Sequence, residues 1–284
     1  MGVMQRIRPP AVAGSFYPSD AGELSVSLDD CFISSPLGPS GHASPNLALV
    51  AGMVPHAGYV YSGACAAHLY ARLESTTKRI ILVGVNHWAR GHRAALSPSD
   101  AWQTPLGDVP VDQQFNALLE QRVHFLKKDE LAHAQEHSIE VQLPFLQRVL
   151  GGFVFVPISL ADVSEEECAQ LGTALAEICK TDTASQSESV ILASSDLSHY
   201  LSPQKTDQTD RIALEPVLNR DPGKLLTVVE QKNITMCGVR PTAVMLHAAN
   251  RLGVKHARLL KHYHSGDVTP MGNVVGYASV ALER

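Results

Sequence analysis

Residues 47–63 read LALVAGMVPHAGYVYSG: an unbroken apolar run, then Pro55, His56 and a glycine-rich bend. A short apolar run bounded by turn residues suits a strand buried on both faces, as in a sheet covered by helices. The same grammar recurs at 79–88, RIILVGVNHW, and at 189–200, SVILASSDLSHY, each an apolar run that stops at histidine-bearing polar residues. Working outward, the pattern predicts strands over 47–54, 79–85, 152–158, 189–193, 255–264 and 274–282. Helices are predicted over 63–73, 112–121, 138–150, 164–180, 222–231 and 240–252. Ser164 with Glu167 three residues on is a capping box, and Gly253 suits a left-handed helix end. This alternation predicts an α/β fold with a central, mixed or mostly parallel sheet covered by helices on both faces. Residues 34–46 and 181–189 (SSPLGPSGHASPN and TDTASQSES) read as surface loops. Neither separates halves of different composition, and no internal repeat is visible, so residues 1–284 are expected to form a single domain.

The composition excludes several function classes. The chain has 284 residues, 45% of them hydrophobic, and 23 Lys plus Arg against 28 Asp plus Glu, for a net charge of −5. That balance excludes disorder and leaves no electrostatic footprint for nucleic acid. The longest apolar run is strand-sized, far short of the roughly 20 residues that cross a bilayer, so no membrane insertion is expected. The amino terminus lacks the apolar stretch of a secretion signal, and Arg6 stands where a myristoylation signal wants Ser or Thr. Five cysteines, widely spaced and without any CxxC, predict free thiols in a reducing compartment. A cytoplasmic protein is the expectation.

Chemistry concentrates just after the predicted strands. His56, His87, Asp196 and His199 follow three of them, and in parallel α/β sheets the carboxyl ends of strands gather at one edge, where ligands bind. Any one of these side chains alone is more often an ordinary loop residue; three equivalent strand ends point to a shared crevice. In MCGVRP, Cys237 precedes a predicted helix, whose free N–H groups favour a thiolate able to bind a metal. Cys31, Cys65, Cys168 and Cys179 read as small buried residues. His133, Glu136 and His137 spell H-x-x-E-H, an inverted zinc-protease pattern. They fall at a helix start, with Pro144 just beyond, so the two histidines are expected to diverge and the protease reading is rejected.

RPPAVAGSFYP, PHAGYVYSG, GVNHW, EHSIEVQLPFLQ, SSDLSHY and MCGVRP, in this order between Arg8 and Pro241, resemble the Memo family. Its bacterial and archaeal members are called AmmeMemoRadiSam system protein B. That family in turn resembles the class III extradiol ring-cleaving dioxygenases, non-haem iron enzymes built on a three-layer α/β/α sandwich. The resemblance implies such a sandwich here, with a metal site of His56, His87 and Cys237. It further implies His199 as the acid/base histidine, with Asp196 close by. Asn86 departs from what the family commonly shows before the second histidine.

Iron is the first expectation for the metal. A thiolate in place of the dioxygenase carboxylate also suits copper or zinc. Glu136 and Glu140 have two readings: a carboxylate that fixes a histidine tautomer from behind, or a helix-start cap and a solvated face. Three functions follow. One is a metal-dependent oxidoreductase using iron or copper on an unidentified small molecule. Another is a non-catalytic protein- or peptide-binding module acting with the AMMECR-type and radical SAM partners that the family name implies. The third is zinc-dependent hydrolysis.

Overall fold

The apolar runs form the spine of one mixed sheet in the computed structural model, which describes residues 5–41, 45–181 and 189–284. Of the two predicted loops, residues 42–44 and 182–188 lie outside the described residues. In chain order the strands are β1 (Ile7–Arg8), β2 (Leu49–Val54), β3 (Arg79–Val85), β4 (Ala94–Leu96), β5 (Ala101–Thr104) and β6 (Gly107–Pro110). They continue with β7 (Lys127–Lys128), β8 (Val154–Leu160), β9 (Ser189–Ser194), β10 (His199–Leu201), β11 (His256–His264) and β12 (Val274–Glu283). β1, β5 and β6 make a small sheet; the others make the main sheet, in the order β10-β12-β2-β9-β3-β8-β4-β7, with β11 also paired to β12. β2, β9, β3 and β8 run parallel, and β12 and β4 flank them antiparallel.

The helices are α1 (Ala21–Asp29), α2 (Ala64–Tyr70), α3 (Gln113–Arg122), α4 (Leu131–Ala134), α5 (Leu143–Val149), α6 (Glu165–Thr181), α7 (Pro203–Leu218), α8 (Pro222–Gln231), α9 (Val239–Arg251) and α10 (Ser265–Val268). Because side chains alternate along a strand, the central strands feed two cores. Ile81, Val83, Val156, Ile158, Ile191 and Ala193 pack with residues of α3, α6, α7, α8 and α9. Ile80, Leu82, Phe155, Val190 and Leu192 pack on the other side with α1, α2 and α5. The result is three layers, helices on both faces of the sheet, which explains why these strands are apolar throughout rather than alternating. Where α6 crosses α9 the backbones nearly touch: a Cβ on Gly172 would lie 2.5 Å from the His247 Cβ and 2.7 Å from the Val244 carbonyl oxygen.

Helix ends follow the expected chemistry, with instructive exceptions. The Ser164 N–H donates to Glu167 Oε2 at 2.9 Å and the Glu167 N–H to Ser164 Oγ at 3.2 Å, the reciprocal capping box. Gly253 adopts φ +83°. The helix expected over 138–150 is instead a 3-10 turn, Glu140–Gln142, followed by α5, with Pro144 in the first turn, where a missing N–H costs nothing. α1 and α7 were not predicted. α7 is polar over most of its length, yet it buries Asp210, Ala213, Leu214 and Val217. Among the described residues no helix is long and apolar enough to cross a membrane. All five cysteines are free, and Cys31, Cys65, Cys168 and Cys179 are buried.

Candidate metal centre

β2 ends at Val54, β3 at Val85 and β9 at Ser194, so His56, His87 and Asp196 each lie two residues beyond a parallel strand, on one edge of the sheet. His56 is buried, and its hydrogen bonds determine its tautomer. Ser194 Oγ donates to the Ser138 carbonyl at 2.6 Å and accepts from Gln142 Nε2 at 2.9 Å. With its single proton committed, that hydroxyl can only accept from His56 Nδ1, 2.9 Å away. His56 therefore carries its proton on Nδ1 and leaves Nε2 unprotonated.

Glu136 does the same for His87. Its Oε1 accepts from His87 Nδ1 at 2.9 Å and from the backbone N–H of His137 and Ser138, both at 2.9 Å; its Oε2 accepts from the His87 N–H at 2.8 Å. Burial would raise this carboxyl, but the bond from His87, the nearby imidazoles and the Ser138 N–H outweigh it and hold the group down at about 2. An ionised Glu136 keeps the His87 proton on Nδ1 and leaves Nε2 open. Of the two readings of Glu136, tautomer fixing is the one its contacts match. Glu140 has another task. Fully buried, it pairs with Arg8 at 2.7 Å and accepts from Ala11 N, Val12 N and Tyr17 Oη.

The residues that converge differ from the expected set. His56, His87 and His137 each offer a ligand atom, and these atoms lie within 4.8 Å of one another; among the described residues they are the only such group of three or more His, Cys, Asp or Glu. Their rings confirm the crowding: His87 stacks on His137 at 4.6 Å, and His56 meets both edge-on, at 5.1 Å and 5.3 Å. His137 enters the sequence reading only through the H-x-x-E-H pattern, which is set aside because it falls at the start of the helix expected over 138–150. The helical turn begins only at Glu140, which lets Glu136 and His137 both address the centre. The signal was present in EHSIEV, an acid and a histidine side by side. Cys237, expected as the third ligand, stands outside this triad yet against it, its Sγ 3.1 Å from His56 Nε2. Without an ion, burial and then the charge of Asp196 raise the Cys237 thiol pKa. Cys237 is thus a thiol that donates to His56, because its burial outweighs the helix N-terminus two residues on.

Asp196 is buried, accepts from the His56 N–H at 2.8 Å, and is pushed up to about 6, chiefly by burial. His199 sits at the rim. Its N–H donates to Thr235 Oγ1 at 2.7 Å and its Nδ1 to the Thr235 carbonyl at 2.8 Å, so Nε2 is again the free nitrogen. Ala89 and Tyr200, just after His87 and His199, hold φ of +47° and +60°, a region non-glycine residues rarely adopt and one that clusters at functional sites. His133 of the H-x-x-E-H pattern is buried elsewhere, bonded to the Ala95 carbonyl and edge-on to Trp102.

The donors fit a metal ion. Burial, then the neighbouring His137, His87 and His199, hold His56 well below the usual imidazole range, and burial takes His137 down to about 4. Both are neutral at physiological pH, the form that ligates. Donors on one tetrahedral ion at about 2.1 Å stand about 3.4 Å apart, which separations below 4.8 Å reach with small side-chain shifts. The site opens to solvent at His87, whose side chain is 27% exposed, leaving a path for an ion and a ligand.

The family model described as Memo-like protein matches residues 8–281. A MEMO1 family protein of Methanopyrus kandleri is 38% identical over 98% of this chain and 99% of its own length. Another, of Ignicoccus hospitalis, is 40% identical over 96% and 98%. Among solved structures, an uncharacterized protein of Escherichia coli matches 82% of this chain and 99% of its own, with a TM-score of 0.51 at 14% identity, a likeness of fold.

Proposed function

This chain belongs to the Memo family, and on that footing we propose that it is a metal-dependent oxidoreductase related to the non-haem extradiol dioxygenases, acting on a small molecule. The observation that carries this reading is the convergence of His56, His87 and His137, with Nε2 of the first two kept unprotonated by Ser194 and Glu136. Imidazoles suit iron, copper and zinc; iron is our assignment, with copper the second and zinc the third. When bound, the ion supplies redox chemistry that no side chain here can. His56, His87 and His137 would hold it, and Cys237, as a thiolate, would add a soft donor. Glu136 keeps His87 in its ligating tautomer, and the Asp196 carboxylate anchors the His56 backbone. His199 is the acid/base, its Nε2 lone pair free to take a proton while Thr235 holds the other side of the ring. Five free thiols suit a reducing cytoplasm.

The test is metal analysis of untagged protein purified without added metal, with oxygen consumption on catechol-type compounds by wild type and His199→Gln. Iron or copper should be present in both, and consumption in wild type alone; equal consumption by the two proteins overturns the role of His199. A second reading, a docking module for AMMECR-type and radical SAM proteins, draws on the exposed Val60, Trp88 and Tyr200, each close in sequence to a histidine of the site. It predicts partner binding that survives metal removal, and no oxygen consumption by either protein.

A further inference from the structure

Asp210 lies on α7, outside the metal centre, and is wholly buried. A buried carboxylate is retained only where donors replace water, and the three donors here are informative. Two belong to one residue: Asp210 Oδ1 accepts the Ser198 N–H at 3.0 Å and the Ser198 hydroxyl at 2.6 Å. The third is His262 Nε2 on β11, which donates to Oδ2 at 2.9 Å. β12 leaves space for this carboxylate by having no side chain where it passes: a Cβ on Gly276 would lie 1.8 Å from Oδ2. The Gly276 backbone also brackets the same loop, donating to the Ser198 carbonyl at 2.9 Å and accepting from the Leu197 N–H at 2.9 Å. The N–H, carbonyl and hydroxyl of Ser198 are therefore all held, and the residue so held is the one before His199.

We propose that Asp210 is the positioning residue for His199, acting through Ser198; the proposal rests on the acid/base reading of His199. With Ser198 anchored from inside and the chain turned sharply at Tyr200, His199 meets Thr235 with both its backbone N–H and its Nδ1. The ring then cannot rotate, and its lone pair stays on Nε2. Without the Asp210 bonds Ser198 keeps only its carbonyl bond to Gly276, so the His199 N–H and Nδ1, which depend on its placement, shift off Thr235.

The test reads the ring directly. Long-range nitrogen–proton NMR of full-length protein labelled at histidine reports the tautomer residue by residue. Wild type should show neutral His199 protonated at Nδ1. Asp210→Ala should shift it to the Nε2-protonated form usual for free imidazole, with metal content unchanged and turnover lowered about tenfold or more at similar KM. Asp210→Asn should restore the wild-type spectrum, because an amide oxygen still accepts both Ser198 donors while His262 changes tautomer to accept from the amide. If Asp210→Ala does not fold, Ser198→Ala, which removes one of the two bonds, should show a partial shift. An unchanged His199 spectrum in whichever of these two variants folds overturns the proposal. Full turnover by His199→Gln would remove the acid/base role alone, leaving the spectral test of positioning intact.

Discussion

Replacing Glu136 with Gln probes the centre through a residue that lies outside the ligand triad but bonds directly to His87. The carboxylate is held from an ordinary 4.5 down to about 2 despite its burial. At about 1.4 kcal/mol per tenfold change in proton affinity, the folded protein favours the charge by roughly 3 kcal/mol. Gln keeps the shape but turns one acceptor into a donor. Placed at Oε1, that donor faces the N–H groups of His137 and Ser138; placed at Oε2, it faces the N–H of His87. Either arrangement strands a buried N–H, at a cost of about 1–3 kcal/mol. With the negative charge gone, His87 is a weaker donor, and metal affinity should fall about 10- to 100-fold. Because the Glu136 pKa is depressed, its contribution to stability is full above about pH 4.5 and is lost as pH falls toward 2. The gap in unfolding free energy between wild type and Glu136→Gln should therefore be widest near neutrality and narrow through that window. Chelator-competition titration with zinc and guanidinium unfolding from pH 7 to pH 2.5 measure both effects. Affinity within twofold of wild type, or a gap that does not change with pH, would refute the reasoning.

Three further outcomes are expected. His137→Ala should weaken metal binding at least about tenfold in the same titration, since it deletes one of three converging imidazoles; unchanged affinity would remove His137 from the centre. Arg8→Ala should cost about 3–5 kcal/mol by stranding the buried Glu140, seen as a lower midpoint in guanidinium at pH 7. Gly172→Ala should cost about 1–3 kcal/mol by driving α6 from α9, lowering the melting temperature in calorimetry while metal affinity stays at the wild-type value.

The layered α/β architecture was legible because its central strands are apolar on both faces, and the histidines of the site because they sit just past those strands. His137 was hidden by a local ambiguity: EHSIEV has helical spacing, and only the tertiary bonds of Glu136 and Glu140 turn it into a hinge around the centre. α7 escaped notice because PQKTDQTDRIALEPVL shows no apolar run, although its face toward the sheet carries Asp210, Ala213 and Leu214. The metal-free state of Cys237 is not legible for a related reason. The helix behind it is visible in sequence, whereas its burial and the carboxylate beside it arise only when distant segments meet.

The order of strands in the main sheet also governs how the protein is made. β2, which leads to the first histidine of the centre, has β9 and β12 as neighbours, and those begin at Ser189 and Val274. A chain leaving the ribosome thus exposes an apolar strand whose partners do not yet exist, and long-range parallel pairing is slow and prone to aggregation. The strand that delivers His56 has no parallel partner until β9 is made and no antiparallel partner until β12 arrives. Metal uptake is therefore expected to follow the synthesis of β9, and the nascent amino-terminal half to be the stretch most in need of protection from aggregation.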